Sequence, residues 1–197
     1  MNKLFGMKIC LLGDGFVGKT SIKRRYLGMK FKSTYMATIG ADFSLKEQEY
    51  TASDPNDSST NHTIVIKYLI WDLAGQEKYS NIRASYFMGA KGVMLVYDCT
   101  NKSSFENLDN WLNEFSRTVK EKFPIILIAN KIDLREDGVT AISTKEGNAR
   151  AIELSKQFDT TVHFLETSAK TGENVNEAFN TLSAVLYDSH ISKILNK

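Results

Sequence analysis

Residues 7–20 read MKICLLGDGFVGKT, and this stretch decides the fold. An apolar, β-rich run leads into a loop with three glycines, and the helical pattern SIKRRYL follows it. Glycines at this spacing let successive backbone N–H groups face one anion, and the N-terminus of the next helix adds the positive end of its dipole. The stretch therefore predicts a phosphate-binding loop between a strand and a helix.

The side chains that end this loop fit a nucleoside triphosphate. Lys19 is placed to reach the β- and γ-phosphates, and the Thr20 hydroxyl is placed to bind Mg²⁺. The residues predicted to contact phosphate are Gly13, Asp14, Gly15, Phe16, Val17, Gly18, Lys19, Thr20 and Ser21. A glycine-rich turn without a ligand is the alternative, but such a turn does not require Lys-Thr after the last glycine. The pattern does not identify the base.

Outward from this loop, apolar β-rich segments alternate with helical patterns, which is typical of parallel strands joined by helices. We predict strands at about 7–12, 40–50, 63–71, 91–98, 124–130 and 161–166. We predict helices near 18–28, 80–90, 103–121, 144–158 and 173–195. The runs VMLVYD and PIILIAN are apolar without alternation and should lie in the sheet centre, covered on both faces.

The second and third strands have no helix between them, so they should form an antiparallel hairpin at one edge of the sheet. Residues 51–62 (TASDPNDSSTNH) are small and polar and are expected to form a flexible loop at its tip; a functional insertion is the alternative. The predicted fold class is α/β, with a six-stranded, mostly parallel sheet, one antiparallel edge strand and helices on both faces. Residues 188–197 are expected to extend the last helix.

Composition excludes several other classes of protein. The 197 residues suit one domain, and 25 Lys and Arg against 23 Asp and Glu leave a net charge of +2, so we expect no nucleic-acid partner. Cys10 and Cys99 lie in apolar runs and are expected to be buried free thiols. No apolar run reaches the ~20 residues of a membrane span. We expect a soluble, cytoplasmic monomer.

A second motif, WDLAGQE at 71–77, follows the third strand. Asp72 ends an apolar strand and is placed to hold Mg²⁺ through a water molecule, and Gly75 can offer its backbone N–H to a γ-phosphate. Gln76 can orient an attacking water. Asp-x-x-Gly alone is also a common turn, but its position one hairpin after the phosphate loop favours the functional interpretation.

A third motif, Asn130-Lys131-Ile132-Asp133, follows the apolar strand PIILIA, at the sheet edge where ligands bind in doubly wound folds. The Asp133 carboxylate can accept from the N1–H and the exocyclic amine of guanine, a pair of donors that adenine does not present. Asn130 and Lys131 of the same motif are also predicted to bind guanine. After the last strand, Ser168, Ala169 and Lys170 can complete a base pocket. Each motif alone is an ordinary polar loop.

In this order and strand context the motifs resemble those of the Ras-like small GTPases, and the chain is most similar to the Rab family. The resemblance covers about residues 7–187 and includes TIGADF at 38–43, KYLIWDLAGQEKY at 67–79, YFMGA at 86–90, VYD at 96–98, and SFEN at 104–107 before Trp111-Leu112. It implies a single G domain over residues 1–197. It also implies that Thr38 binds Mg²⁺ and senses the γ-phosphate, that Tyr35 closes over the phosphates and that Phe31 packs on guanine. Core packing is the alternative for Phe31 and Tyr35.

The resemblance implies a molecular switch with GTP or GDP and Mg²⁺ bound, slow hydrolysis with Gln76 as the catalytic residue, and three kinds of partner: a GTPase-activating protein, a nucleotide exchange factor and GTP-state effectors. The effector surface it implies consists of Ile39, Ala41, Phe43, Trp71 and Tyr86, with packing against the second helix as the alternative. A nucleotide-binding scaffold without turnover is the alternative function. A P-loop ATPase or nucleotide kinase is disfavoured by Asp133.

Some residues depart from the Rab pattern. Phe16 stands in the phosphate loop where the family has a small residue, and its ring is expected to point away from the nucleotide. No cysteine follows Cys99, so we expect no direct lipid anchor within this sequence; either a tail lies beyond it or the lineage lacks lipidation. The six basic residues of 19–32 are expected to form a solvated helix face, with an anionic surface as the alternative partner.

Overall fold

The computed structural model describes residues 3–31, 38–54, 57–75, 80–135 and 141–195. The strands within these ranges are β1 (Lys3–Leu12), β2 (Ala41–Asp54), β3 (Asp57–Leu73), β4 (Gly92–Asp98), β5 (Ile125–Asn130) and β6 (Val162–Thr167). The helices are α1 (Lys19–Tyr26), α2 (Ser80–Phe87), α3 (Lys102–Glu106), α4 (Leu108–Thr118), α5 (Thr144–Phe158), α6 (Val175–Leu186) and α7 (Ser192–Leu195). A 3₁₀ turn at Ile132–Leu134 and a π-helical turn at Tyr187–Ile191 complete them.

The strands form one sheet in the order β2-β3-β1-β4-β5-β6. The β2–β3 pair is antiparallel, and the other four neighbouring pairs are parallel. The predicted mostly parallel sheet with one antiparallel edge strand is confirmed. Because parallel strands end at the same edge, the segments after β1, β3, β4, β5 and β6 meet on one side of the molecule.

Helices cover both faces of the sheet, as predicted. On one face, Ile22 of α1 and Phe179 and Leu182 of α6 belong to a core with the apolar side chains of β1 and β3. On the other face, Phe115 of α4 and Leu154 of α5 pack with β4 and β5. Every residue of β4 and β5 is buried, which confirms the central position expected from their unbroken apolar runs.

The hairpin between β2 and β3 is longer than the sequence predicts. Most of the polar stretch 51–62, interpreted as a loop, is paired strand, because β2 continues to Asp54 and β3 begins at Asp57. The hydroxyls of Thr51 and Thr63 lie 3.1 Å apart across the ladder, and Ala52 packs against the core. The backbone hydrogen bonds of an antiparallel ladder can form between polar strands as well, so a polar composition alone did not exclude pairing.

Two predicted helices are also interrupted. The helix expected at 103–121 divides at Asn107 into α3 and α4, and the Asn101 side chain caps α3 by accepting from the Ser104 N–H at 3.3 Å. The helix expected at 173–195 changes to the π-helical turn after Leu186. Ile191 in that turn is fully buried, so burial of apolar side chains continues into the segment expected to be an extension.

Cys10 and Cys99 are buried free thiols, as expected, and burial raises the pKa of Cys10 to about 12. Among the residues that the structure describes, no helix has the length and apolarity to cross a bilayer.

Candidate functional site

The loop between β1 and α1 has the geometry of a phosphate-binding loop. Gly18 has φ of 102°, and a Cβ there would lie 2.2 Å from Nδ2 of Asn130, so only glycine fits. α1 begins at the next residue, so its N-terminus faces the end of the loop. Phe16 also has a positive φ, 68°, and is 64% exposed, a conformation that strains a residue with a Cβ.

Lys19 is buried in the centre of this loop. Its ammonium donates to the backbone carbonyls of Gly13 and Asp14, at 2.6 Å each. Burial lowers the pKa of Lys19 to about 8, although the Asp72 and Asp14 carboxylates act in the opposite direction. Two neutral carbonyls compensate a buried cation poorly, so Lys19 is suited to an anion that enters the loop.

The Asp14 side chain faces away from the loop and towards α4. Its Oδ1 accepts from Nδ2 of Asn107 at 2.6 Å and from Nε1 of Trp111 at 2.7 Å. The Arg83 guanidinium lies 4.5 Å from the centre of the Trp111 ring and donates to both carboxylate oxygens of Glu114 at 2.7 Å. Asp14 is predicted to contact phosphate. Because its side chain is bound to α4, its backbone is the part left for that contact.

Three oxygen-bearing side chains meet beside Lys19. The Thr20 hydroxyl donates to Oδ2 of Asp72 at 2.5 Å and lies 3.0 Å from the Thr38 hydroxyl. Within the described residues, Oδ1 of the fully buried Asp72 has no hydrogen-bond partner. Burial raises the pKa of Asp72, because desolvation disfavours its charged form. An orphaned carboxylate oxygen with two converging hydroxyls fits Mg²⁺, which prefers hard oxygen ligands.

Gly75 is pressed against the phosphate loop. A Cβ at this position would lie 2.3 Å from the carbonyl carbon of Asp14, so no larger residue fits without movement. The N–H of Ala74 donates to the carbonyl of Gly40 at 2.9 Å, which ties this segment to the start of β2. Gln76, predicted to be catalytic, and Tyr35, predicted to close over the phosphates, lie outside the described residues.

Asn130 joins the phosphate loop to the loop after β6. Its Nδ2 donates to the carbonyl of Val17 at 2.8 Å, and its Oδ1 accepts from the Thr167 hydroxyl at 3.2 Å and the Ala169 N–H at 3.1 Å. Asn130 is 1% exposed. Its role as a guanine contact stays a prediction, and its contacts within the protein hold two loops in place.

Asp133 lies beside the loop that follows β6, as predicted. Its Oδ1 accepts from the Ser168 hydroxyl at 2.6 Å, and its Oδ2 lies 3.6 Å from Nζ of Lys170. Lys131 has φ of 69° and pairs with Asp98 at 2.5 Å. The structure therefore brings Asp133, Ser168, Ala169 and Lys170 together. Phe31 is 42% exposed, which argues against core packing of its ring.

Two basic residues of α1 have positions that sequence reasoning missed. Lys23 is 2% exposed and pairs with Asp42, and Arg25 donates to the carbonyls of Ala169 and Lys170. The expected solvated helix face is therefore wrong for these residues and for Lys19. The available signal was helical spacing: the buried positions of α1 are 19, 22, 23 and 26, which share one face.

The residues of the predicted effector surface are adjacent in the structure. Phe43 lies opposite Trp71 in the β2–β3 register, with ring centroids 5.6 Å apart, and the rings of Trp71 and Tyr86 are 5.4 Å apart. Phe43 is 59% exposed and Ile39 is 80% exposed, while Ala41 is partly buried between them. We call Phe43, Trp71 and Tyr86 the aromatic cluster.

A glycine loop before a helix, with a basic and a hydroxyl side chain at its end and an aspartate after a neighbouring strand, defines a P-loop nucleotide-binding protein. Comparison with known proteins identifies the family within that class. The Ras family model matches residues 8–188, so the chain belongs to the Ras family of small GTPases.

Named relatives confirm the predicted resemblance to Rab proteins. Ras-related protein RABD1 of Arabidopsis thaliana is 40% identical over 176 residues, covering 89% of this chain and 77% of that protein. Ras-related protein Rab7 of Pisum sativum is 39% identical over 181 residues, covering 90% and 80%. Ras-related protein SEC4 of Candida albicans (strain WO-1) is 34% identical over 187 residues, covering 95% and 80%.

Proposed function

We propose that this protein is a Rab-like molecular switch, which binds GTP and GDP with Mg²⁺ and slowly hydrolyses GTP to GDP, in membrane trafficking or related signalling. Ras-family membership supports the GTPase class, and the Rab-named relatives support the kind of switch. The observation that carries the proposal is the meeting of Lys19 with Thr20, Thr38 and Asp72 at the N-terminus of α1.

At the phosphates, the backbone N–H groups of residues 13–21 and the α1 N-terminus supply a cradle for negative charge. Lys19 exchanges its two carbonyl partners for phosphate oxygens when the nucleotide enters, which removes the unfavourable burial of its charge. Thr20, Thr38 and Asp72, the last through water, would hold Mg²⁺, which when bound neutralises charge on the β- and γ-phosphates.

At the base, Asp133 supplies the acceptor for the two guanine donors. The Ser168 hydroxyl holds one carboxylate oxygen, and Lys170 lies near the other, so the carboxylate keeps one orientation. The Ala169 N–H holds the loop after β6 on Asn130, and Phe31 adds an exposed ring that we propose packs on the base. We call residues 168–174, the loop after β6, the base loop. We propose that Asn130 keeps the base loop and the phosphate loop in register.

For hydrolysis, Gln76 orients water for in-line attack on the γ-phosphate, while Lys19 and the loop N–H groups stabilise the developing charge. A GTPase-activating partner supplies an arginine that stabilises the transition-state charge and accelerates turnover by ~10³–10⁵. We propose that the γ-phosphate fixes residues 31–43 and 73–84, including Tyr35 over the phosphates, and that hydrolysis releases them.

The partners follow from the same proposal. A nucleotide exchange factor resets the switch, and GTP-state effectors dock on Ile39, Ala41 and the aromatic cluster. The Phe43 ring is the exposed part of this cluster, whereas Trp71 and Tyr86 are partly buried against the core. Residues 1–197 act as a single monomeric G domain, and membrane association occurs through partners or through a tail beyond this sequence.

The test is to denature the purified protein and identify the released nucleotide. GDP or GTP is expected, while an adenine nucleotide would favour a P-loop ATPase or nucleotide kinase. A single-turnover assay with bound GTP then separates a switch from a scaffold: slow conversion to GDP supports the proposal, and GTP that persists unchanged supports a nucleotide-binding scaffold.

A further inference from the structure

Lys23 is a buried lysine held between two carboxylates beside the proposed magnesium site. Its ammonium lies 2.5 Å from Oδ2 of Asp42 and 3.7 Å from Oδ2 of Asp72. Lys23 and Asp72 are both buried, whereas the Asp42 side chain is 63% exposed. A lysine is almost never this buried without a specific electrostatic role, because removing the ammonium from water is costly.

The strand register explains what this cation compensates. Asp42 of β2 and Asp72 of β3 are directly opposite each other in the antiparallel ladder. Like charges at opposed positions destabilise a pair of strands. Lys23 reaches both carboxylates from α1, so one cation from a third element joins the two strands at the end nearest the phosphate loop.

The Asp72 carboxylate is shared between this cation and the magnesium site. Oδ2 accepts from the Thr20 hydroxyl and faces Lys23, while Oδ1 has no partner among the described residues. Any positive charge at Lys23 therefore offsets part of the negative charge that would attract Mg²⁺.

We propose that Lys23 is a resident cation of the magnesium site: it weakens Mg²⁺ binding and holds β2 and β3 together when the metal is absent. This inference rests on the proposed function, because it requires the nucleotide-bound protein to bind Mg²⁺. Lys23 is a positioning residue in this role, since it acts on the metal through Asp72.

The experiment measures the Mg²⁺ affinity of the GDP-bound protein, from the Mg²⁺ dependence of the release rate of a fluorescent GDP analogue. Lys23→Met removes the cation and leaves two uncompensated carboxylates, so Mg²⁺ should bind about tenfold more tightly. Asp42→Asn removes an acidic group, so that Lys23 interacts with the Asp72 carboxylate alone. Mg²⁺ should then bind about threefold more weakly. Opposite shifts support the proposal, because structural damage would weaken binding in both variants.

Lys67→Met is the matched control. Lys67 also pairs across β2 and β3, with Glu47 at 3.4 Å, but it is partly exposed and lies farther along the ladder. The Mg²⁺ affinity of Lys67→Met should stay within about twofold of that of the unmodified protein. A Lys23→Met shift no larger than this control would overturn the proposal.

Thermal unfolding without nucleotide and Mg²⁺ tests the second half of the proposal. Lys23→Met should unfold at a lower temperature than the unmodified protein, and adding Asp42→Asn should restore part of the loss by removing the opposed carboxylate. If the single variant does not fold, the double variant is compared with Asp42→Asn alone, and tighter Mg²⁺ binding in the double variant is then required.

Failure of the two proposals gives different results. An unmodified protein that retains no GDP in the presence of Mg²⁺ contradicts the proposed function. An unmodified protein that retains GDP and binds Mg²⁺, with Lys23→Met unchanged or weaker, contradicts only the role of Lys23.

Discussion

Asp133 is the side chain on which the proposed selection of guanine depends. Asp133→Asn replaces one carboxylate oxygen by an amide that donates, so guanine should lose about 100-fold or more in affinity, and xanthine should become the preferred base. The remaining amide oxygen can still accept from Ser168, so the loop is expected to stay folded. Competition between GDP and XDP measures the preference, with thermal unfolding as a control for folding. Unchanged base preference would remove Asp133 from the pocket.

The buried ammonium of Lys19 makes the nucleotide-free protein sensitive to pH. Burial lowers its native pKa to about 8, below its ordinary value, so the unfolded chain binds more protons than the native protein above about pH 8. Stability from this group therefore rises with pH until the unfolded lysine also loses its proton. We expect the unfolding free energy of the unmodified protein, minus that of Lys19→Met, to rise by about 2 kcal/mol from ~pH 8 to ~pH 10.

Denaturant unfolding of both nucleotide-free proteins measures this difference, and the comparison cancels titration of the buried thiol and tyrosines common to both. With GDP bound, phosphate oxygens favour the charged lysine, so the same rise should disappear. A difference that is flat with pH in the nucleotide-free proteins would mean that Lys19 is better solvated than its contacts with the Gly13 and Asp14 carbonyls indicate.

At the scale of elements, the β2–β3 hairpin carries Phe43 and Trp71 of the aromatic cluster, and α2 carries Tyr86. Phe43→Ala removes an exposed ring that contacts Trp71, so unfolding free energy should fall by only about 1 kcal/mol. Binding of a partner that prefers the GTP-bound over the GDP-bound protein should be lost, because exposed aromatic rings dominate interface energies. Calorimetric titration and thermal unfolding measure the two effects.

Leu45→Ala is the matched control for this change. Leu45 is 56% exposed and lies two residues along β2 on the same face, but outside the aromatic cluster. The Leu45→Ala variant should keep most of its affinity for the partner. Retained partner binding in Phe43→Ala, together with a large loss of stability, would instead make Phe43 a core residue and contradict the docking role.

The elements that the sequence predicts correctly are those whose patterns have a single explanation. Unbroken apolar runs could only be the central strands β4 and β5, and α5 has the predicted bounds, Thr144–Phe158, because Ser143 and Glu146 form a capping box. The ends of β2 and β3 were not predicted, because their pairing depends on backbone hydrogen bonds to each other rather than on side-chain pattern.

The residues of the candidate site also divide into those that the sequence predicts and those that it does not. Motif spacing predicts that Lys19 and Thr20 start α1, that Asp72 ends β3 and that Asp133 follows β5, all on the side of the sheet where we propose the ligand binds. It does not predict the contacts made from other elements, such as Arg25 to the base loop or Asp14 to Trp111. These contacts join residues more than 90 positions apart in the chain, and only the folded sheet brings them together.

Over the whole molecule, Asn130 connects the loop that we propose binds phosphate to the loop that we propose binds the base. Asn130→Ala leaves the Val17 carbonyl, the Thr167 hydroxyl and the Ala169 N–H without their partner in a buried position. Each unsatisfied buried group costs about 1 kcal/mol or more, so unfolding free energy should fall by about 3 kcal/mol. GDP affinity should fall as well, because the two loops lose their common register.

Denaturant unfolding and GDP titration test this connection, with Asn148→Ala as the control. Asn148 donates to the carbonyl of Thr144 at 2.9 Å within α5 and is exposed, so its loss should change stability by less than about 0.5 kcal/mol and leave GDP binding unchanged. Loss of GDP binding in Asn130→Ala with normal stability would mean that Asn130 contacts the nucleotide directly. Loss of both together means that the base loop and the phosphate loop are one cooperative unit, so that a nucleotide bound across them stabilises the whole sheet edge.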